Sequence, residues 1–335
     1  MRNRALFIFA IALTFLITAQ AFADIVVYGD TQANLYDPPY ARAYQIHRLI
    51  MSTVFQTAPA PSAFFHCGDM VNNGSDARDW QYFGSIAGPL ISQGIFYPAI
   101  GNHEIGRDYG AGISRYYIPI FWNLPNAPNN NFKRWYCVDI EGIRFIVLDT
   151  NLFEGLNPDQ IRQTPQYQWL ERNLRETRYD IDNGRTNVRF IVMVHHHPLF
   201  TSGGHAKDPL TVYLRSTLAP LYGSYGVSIV FSGHDHQYER SVYKYKSYST
   251  SNNLSKPLTR STAVTYIVTG GGGAAFQDIS FPEVNAYYSL VRSVCNHFCR
   301  IRVVPGAIPK LQVQAIEPVT ASFSRVIDEF TVASR

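Results

Sequence analysis

Five short polar patches hold most of the residues that can do chemistry in this chain. They are Gly29-Asp30-Thr31-Gln32, Gly68-Asp69-Met70-Val71-Asn72, Gly101-Asn102-His103-Glu104, His195-His196-His197-Pro198 and Gly233-His234-Asp235-His236. Their donors are carboxylates, an amide and several imidazoles, a mixed N and O set that suits zinc, manganese or iron. His234 and His236 are two apart. Side chains two apart in an extended segment share a face, so these imidazoles can serve two neighbouring metal ions. A carboxylate between such ions can bridge them at a separation of roughly 3.5–4 Å. A single Gly-Asp is most often a turn, and a single His-x-His is a weak metal signal. The metal reading comes from five patches in one order, each directly after an apolar run. Four of the five place Gly just before the first polar residue, where it lets the backbone approach a ligand closely.

Those apolar runs must be the elements that position the patches. Ile25–Gly29, Ala63–Cys67, Ile95–Ile100, Val188–Val194 and Val227–Phe231 read as strands covered on both faces. Pro39–Phe55, Asp76–Gln93, Gln166–Thr177 and Pro209–Tyr222 have helical patterns. Trp135–Ile140 and Arg144–Leu148 flank Glu141-Gly142, a hairpin signal. Beyond residue 260 the chain reads mostly as strands: Val264–Thr269, Phe298–Val304, Leu311–Ile316 and Val326–Val332. Alternating strands and helices argue for an α/β layered fold, and the strand-rich second half for more than one sheet. Ligands in such folds gather at the carboxyl ends of strands, where all five patches lie. Ser247–Arg260 is expected to be an exposed loop and Ala111–Lys133 a rim.

The N-terminus belongs to a different argument. Met1-Arg2-Asn3-Arg4 is basic, Ala5–Ala19 is an uncharged and mostly apolar run of 15 residues, and Ala21-Phe22-Ala23 has the small-residue spacing of a cleavage site. Residues 1–23 therefore read as a secretory signal peptide, too short to span a bilayer, which takes about 20 residues. Residues 24–335 read as one domain, exported to the periplasm or outside the cell and not inserted in the membrane. Losing Arg2 and Arg4 takes the formal charge from +4 to about +2, with no basic stripe, which argues against a nucleic-acid partner. Cys295 and Cys299 are near enough in sequence to close a small disulfide loop if the chain turns there. Cys67 and Cys137 read as buried thiols.

The order Asp, Gly-Asp, Gly-Asn-His-Glu, His, Gly-His-x-His resembles the calcineurin-like metallophosphoesterases over roughly residues 25–275. Gly233-His234-Asp235-His236-Gln237-Tyr238-Glu239-Arg240 is closer still to the last motif of the purple acid phosphatases. The resemblance implies a layered α-β-β-α sandwich of two mostly mixed sheets, with a dimetal site at strand C-terminal ends. It implies that Asp30 and His236 hold the first metal, that Asp69 bridges, and that Asn102 and His234 hold the second. In the family the fourth-patch ligand lies two residues before Pro, which selects His196, with His195 as the runner-up. His103 and His205 match the phosphate-facing histidines and are the candidate catalytic residues; His47, His66, His197 and His297 read as structural or surface residues. Asn72 stands where purple enzymes place an iron-binding Tyr, so a purple colour is not expected, and Gln32 either offers an amide oxygen or lines the pocket.

The expected activity is hydrolysis of small phosphate monoesters by hydroxide generated on two metal ions (Fe, Mn or Zn), with no Ser or Cys nucleophile. A phosphodiesterase with the same site is the alternative. An inactive exported binding protein is the alternative of another class. Gly270-Gly271-Gly272-Gly273 lacks the lysine and helix of a phosphate-cradling loop and reads as a tight loop packed near the site. Oligomeric state is left open.

Overall fold

Strands that are apolar at every position need a core on each side, and this chain builds two. A computed structural model describes residues 23–32, 40–56, 61–106, 113–125, 133–245 and 262–334. The signal-peptide and Ser247–Arg260 readings fall outside these residues, apart from Ala23. Thirteen strands are present among them: β1 (Ile25–Tyr28), β2 (Ala63–His66), β3 (Phe96–Pro98), β4 (Tyr136–Ile140), β5 (Ile143–Val147), β6 (Phe190–Val194), β7 (Ile229–Ser232), β8 (Tyr238–Tyr245), β9 (Thr262–Thr269), β10 (Ser289–Ser293), β11 (Phe298–Val304), β12 (Lys310–Thr320) and β13 (Phe323–Ala333). The α-helices are α1 (Tyr40–Gln56), α2 (Ala77–Ser92), α3 (Asn102–Ile105), α4 (Ile118–Ile120), α5 (Pro158–Gln163), α6 (Pro165–Asp182) and α7 (Pro209–Ser224).

One sheet has the order β13-β12-β11-β1-β2-β3 and the other β10-β8-β9-β7-β6-β5-β4. Both are mixed. β1, β2 and β3 run parallel, as do β5, β6, β7 and β9, while β11 to β13, β4, β8 and β10 pair antiparallel. The sheets face each other, with Phe65 of β2 stacked on Phe145 of β5 at 4.0 Å between ring centroids. Alternation sorts each strand between two cores. Phe145, Val147, Val192, Val194, Ile229 and Phe231 join the inner core. Ile146, Ile191, Met193 and Val230 pack outward on Leu170, Leu174, Leu214 and Leu218 of α6 and α7. Ile50, Val54, Trp80 and Phe83 of α1 and α2 cover the other sheet. The result is the layered α-β-β-α sandwich.

Two expectations need correction, and two strands went unpredicted. β8 and β10 were not legible as strands. The described part of Ala111–Lys133 contains a π-helical turn over Ile113–Tyr117 followed by α4, not loop alone. Cys295 and Cys299 are free thiols, as are Cys67 and Cys137, because β11 carries the chain away in extended form just before Cys299. Cys137 is half-buried, with the Asn173 amide 3.4 Å from its sulfur.

Two buried histidines far from the polar patches in sequence make acid costly. His47 lies under the Tyr28 hydroxyl at 3.0 Å, and burial pushes its pKa down to about 3. Burial pushes His297 down to about 4, against the opposing Cys295 carbonyl. Unfolded imidazoles protonate near 6.5, so below that pH the unfolded chain binds more protons and stability falls with pH. The two together are expected to cost about 2–4 kcal/mol between pH 7 and pH 5. Urea midpoints at the two pH values check this, and His47→Gln should flatten the profile. A flat wild-type profile would contradict it.

Candidate metal centre

The carboxyl ends of β1, β2 and β3 in one sheet meet those of β6 and β7 in the other. Main-chain hydrogen bonds zip the first two loops together, from Asp30 N to Gly68 O (3.0 Å) and from Gln32 N to Asp69 O (2.9 Å). The Thr31 hydroxyl adds a bond to Met70 O at 2.8 Å and lies 3.2 Å from His66 Nε2. The second sheet joins through His196 Nδ1, which donates to Cys67 O at 2.9 Å, and His234 N, which donates to Asp30 Oδ1 at 2.9 Å. Asp30, Asp69 and His234 have φ of 60°, 55° and 72°. Left-handed backbone at non-glycine residues costs about 1–3 kcal/mol each and persists only where surrounding contacts enforce it. Gly101 and Gly233 are needed for close approach, since a Cβ would collide with the Asp69 and Asp30 carboxylates respectively.

The ligand atoms of Asp30, Asp69 and His236 all lie within 4.8 Å of one another, and so do those of His196, His197 and His234. Asn102 Oδ1 belongs with the second group, 2.8 Å from His196 Nε2 and 3.0 Å from His234 Nδ1. Asp69 faces both groups, with Oδ2 3.4 Å from His196 Nε2. All six sequence-derived ligand candidates therefore converge.

The donor chemistry fits cations. Carbonyls hold the Nδ1–H of His196 (Cys67) and of His236 (Ala275, 2.7 Å), so each Nε2 turns inward. There both nitrogens face acceptor oxygens, with His236 Nε2 3.6 Å from Asp30 Oδ1. Asp30 Oδ2 is buried with no hydrogen-bond partner among the described residues. Such second contacts orient ligand imidazoles toward a metal. The electrostatics agree. Burial lifts the Asp30 carboxyl well above its usual range, with Asp69 adding to the rise. Burial works against ionising Asp69, but His196 and His103 hold it well below the usual range. Burial likewise opposes charge on His196, yet Asp69 and Asp30 carry its pKa up to about 10. The centre favours positive charge.

The two candidate catalytic histidines sit at the rim, each with its side chain 29% exposed. His103 is oriented by Nδ1 donating to Asn72 O (2.7 Å) and by its backbone N–H on Asp69 Oδ1 (2.9 Å). The ring of His205 lies 3.8 Å from that of His234. Its Nδ1 is 2.7 Å from Asp235 Oδ1, and that bond raises its pKa against burial. His195 takes the opposite side of the sheet. It stacks near Tyr222 at 6.3 Å, and neither ring nitrogen has a hydrogen-bond partner among the described residues. The Gln32 amide donates to Asp69 Oδ2 at 3.4 Å. The glycine run packs against the site as expected, with Gly272 N on Gly29 O and Ala274 N on Asp30 O.

Sequence reasoning missed four contributors. His197 stands inside the imidazole cluster, 4.5 Å from the ring of His234, with Nδ1 held by the Thr150 hydroxyl at 2.7 Å. Glu104 accepts from Asp69 N (2.8 Å), Val71 N (3.2 Å) and Gly101 N (2.7 Å), joining two ligand loops. Asp235 holds His205. Glu239 accepts from Ser202 N and Oγ, anchoring the loop that carries His205. For Glu104 and Asp235 the available signal was position, a carboxylate inside a ligand motif.

Fold and centre together define a two-metal phosphoesterase architecture, and residues 23–238 match the calcineurin-like phosphoesterase family. The chain belongs to that family. It is 26% identical over 293 residues to "Probable inactive purple acid phosphatase 1" of Arabidopsis thaliana, covering 81% of this chain and 43% of the relative. It is 27% identical over 205 residues to "Purple acid phosphatase 1" of Ipomoea batatas, covering 59% of this chain and 40% of the relative. The chain thus spans about two fifths of the length of these plant proteins. Purple acid phosphatase PPD1 from yellow lupin seeds shares the fold, with a TM-score of 0.64 at 20% identity, covering 93% of this chain and 53% of the lupin chain.

Proposed function

We propose that this chain is an exported, metal-dependent phosphoesterase that hydrolyses small phosphate monoesters. The observation that carries the reading is the convergence of two ligand groups around Asp69: Asp30 and His236 on one side, Asn102, His196 and His234 on the other. These six residues would hold two metal ions. Bound there, the ions would supply neutralisation of phosphate charge and activation of a water near neutral pH. The protein's own residues do the rest. His103, with Nδ1 tied to Asn72 O, turns Nε2 toward the Asp69 side of the centre, where it can donate to a phosphate oxygen. His205 presents Nε2 to the leaving oxygen as a proton donor. The Gln32 amide steadies Asp69. The leader-like pattern of residues 1–23 is what supports the export part of the proposal. Among the described residues no helix is long and apolar enough to cross a membrane.

The test is hydrolysis of p-nitrophenyl phosphate against bis-p-nitrophenyl phosphate, after chelation and re-addition of Mn, Zn or Fe. Metal-dependent release from the monoester is the expected result. Preference for the diester would move the assignment to a phosphodiesterase. No turnover of either ester with two metals bound per chain would make this a binding protein that kept the centre.

A further inference from the structure

Asp235 lies between two candidate ligands but faces away from them. In the segment His234-Asp235-His236 the two imidazoles point into the centre. The Asp235 carboxylate, fully buried, points into the loop over residues 201–206. There Oδ2 accepts the Thr201 hydroxyl at 2.5 Å. Oδ1 accepts Nδ1–H of His205 at 2.7 Å and, more weakly, its backbone N–H at 3.3 Å. Residue 203 must be glycine for the loop to close, since a Cβ there would run into the Asp235 carboxylate. The loop is clamped again next door, where Glu239 accepts from Ser202 N at 2.6 Å and Ser202 Oγ at 2.8 Å. Three contacts on one carboxylate and a second clamp are more than a surface loop needs.

We infer that Asp235 is a positioning residue that fixes the ring of His205, with Nδ1 held and Nε2 turned to the leaving oxygen. The inference rests on the phosphoesterase reading. Asp235 touches no substrate atom; it acts through His205. A carboxylate on one imidazole nitrogen sets both tautomer and ring angle, and proton donation depends on geometry at the other nitrogen. In the step it serves, a water oxygen bonds to phosphorus and the P–O bond to the alcohol breaks with its electron pair on oxygen. The proton at His205 Nε2 goes to that oxygen, and a proton from the attacking water restores the imidazole.

The role is separable from general damage because proton donation matters only for a poor leaving group. The experiment measures kcat and KM of the metal-loaded full chain on p-nitrophenyl phosphate and on 2-glycerophosphate, for wild type, Asp235→Asn, His205→Ala and the double variant. Asp235→Asn is expected to lower the ratio of kcat on the alkyl ester to kcat on the aryl ester by about 10- to 100-fold. KM should change far less. His205→Ala should lower the ratio at least as much, and the double variant no further. An equal loss on both esters, or additive losses in the double variant, would overturn the inference. A second readout does not need turnover. In the zinc-loaded protein the His205 Nδ1 proton should give a protected, downfield NMR signal that is lost in Asp235→Asn. Persistence of that signal would overturn the inference even if neither ester were hydrolysed. The signal together with no turnover would keep the positioning and sink the phosphoesterase reading alone.

Discussion

Asp69→Asn is expected to abolish metal-dependent monoester hydrolysis, lowering kcat by about 10³-fold or more, equivalent to about 4 kcal/mol of barrier. The size follows from position. Among the described residues Asp69 is the carboxylate that faces both ligand groups, near Asp30 and His236 on one side and 3.4 Å from His196 on the other. A neutral amide there removes the charge shared by the two proposed ions and places an NH₂ where an acceptor is needed. The Asn side chain has nearly the same volume, so the inner core is left intact. Metal analysis should therefore show fewer than two ions per chain in a protein that is still folded by circular dichroism, although its metal-free unfolding midpoint should fall because Asp69 offsets the buried charge on His196. Activity within tenfold of wild type would remove Asp69 from its proposed role.

Glu104→Ala should destabilise the protein by about 3–5 kcal/mol. The Glu104 carboxylate takes three buried backbone N–H groups, from Asp69, Val71 and Gly101. Alanine leaves all three without a partner in a place that water reaches poorly, and each orphaned donor costs about 1–3 kcal/mol before relaxation. Glu104→Gln keeps one oxygen and loses the other, so its loss should be clearly smaller. Burial, with Asp69 nearby, pushes the Glu104 pKa up to about 7. The staple is thus an acceptor held in a costly place by the bonds it makes. Urea unfolding of the two variants at pH 8 checks the order. A loss below 1 kcal/mol for Glu104→Ala would mean the loops do not depend on this carboxylate. Because the staple joins the loops of Asp69 and Asn102, both variants should also bind metal more weakly than wild type.

Much of this was legible in the linear sequence, for a local reason. A strand buried on both faces must be apolar throughout, so the first polar residue after each run marks its end, and α/β folds gather ligands at such ends. That logic found the five patches without any knowledge of pairing, and the family resemblance then pointed to Asp30, Asp69, Asn102, His234 and His236 within them. The limits are equally physical. β8 carries Glu239, Arg240 and Lys244 and shows no clean alternation. Its charges are tolerated because Arg240 pairs with Asp328 at 2.6 Å and Glu239 with Asn285 at 2.8 Å, partners far away in sequence. The cysteine pair failed as a disulfide because sequence proximity does not report that β11 begins between its members.

The fourth patch divides the two kinds of information most sharply. Sequence alone determined that His195, His196 and His197 close a buried strand, and that some imidazole there faces the centre. Which one does so is decided by how the strand enters the sandwich. His195 falls on the outer side near Tyr222, while His196 and His197 turn to the line where the two sheets meet. The same holds for Asp235 and Glu104, whose partners come from other loops. Residue type and local periodicity fix which groups stand at strand ends. Only the packing of one sheet on the other fixes which atoms then meet, because those contacts join residues separated by more than two hundred positions, as from Asp30 to His234.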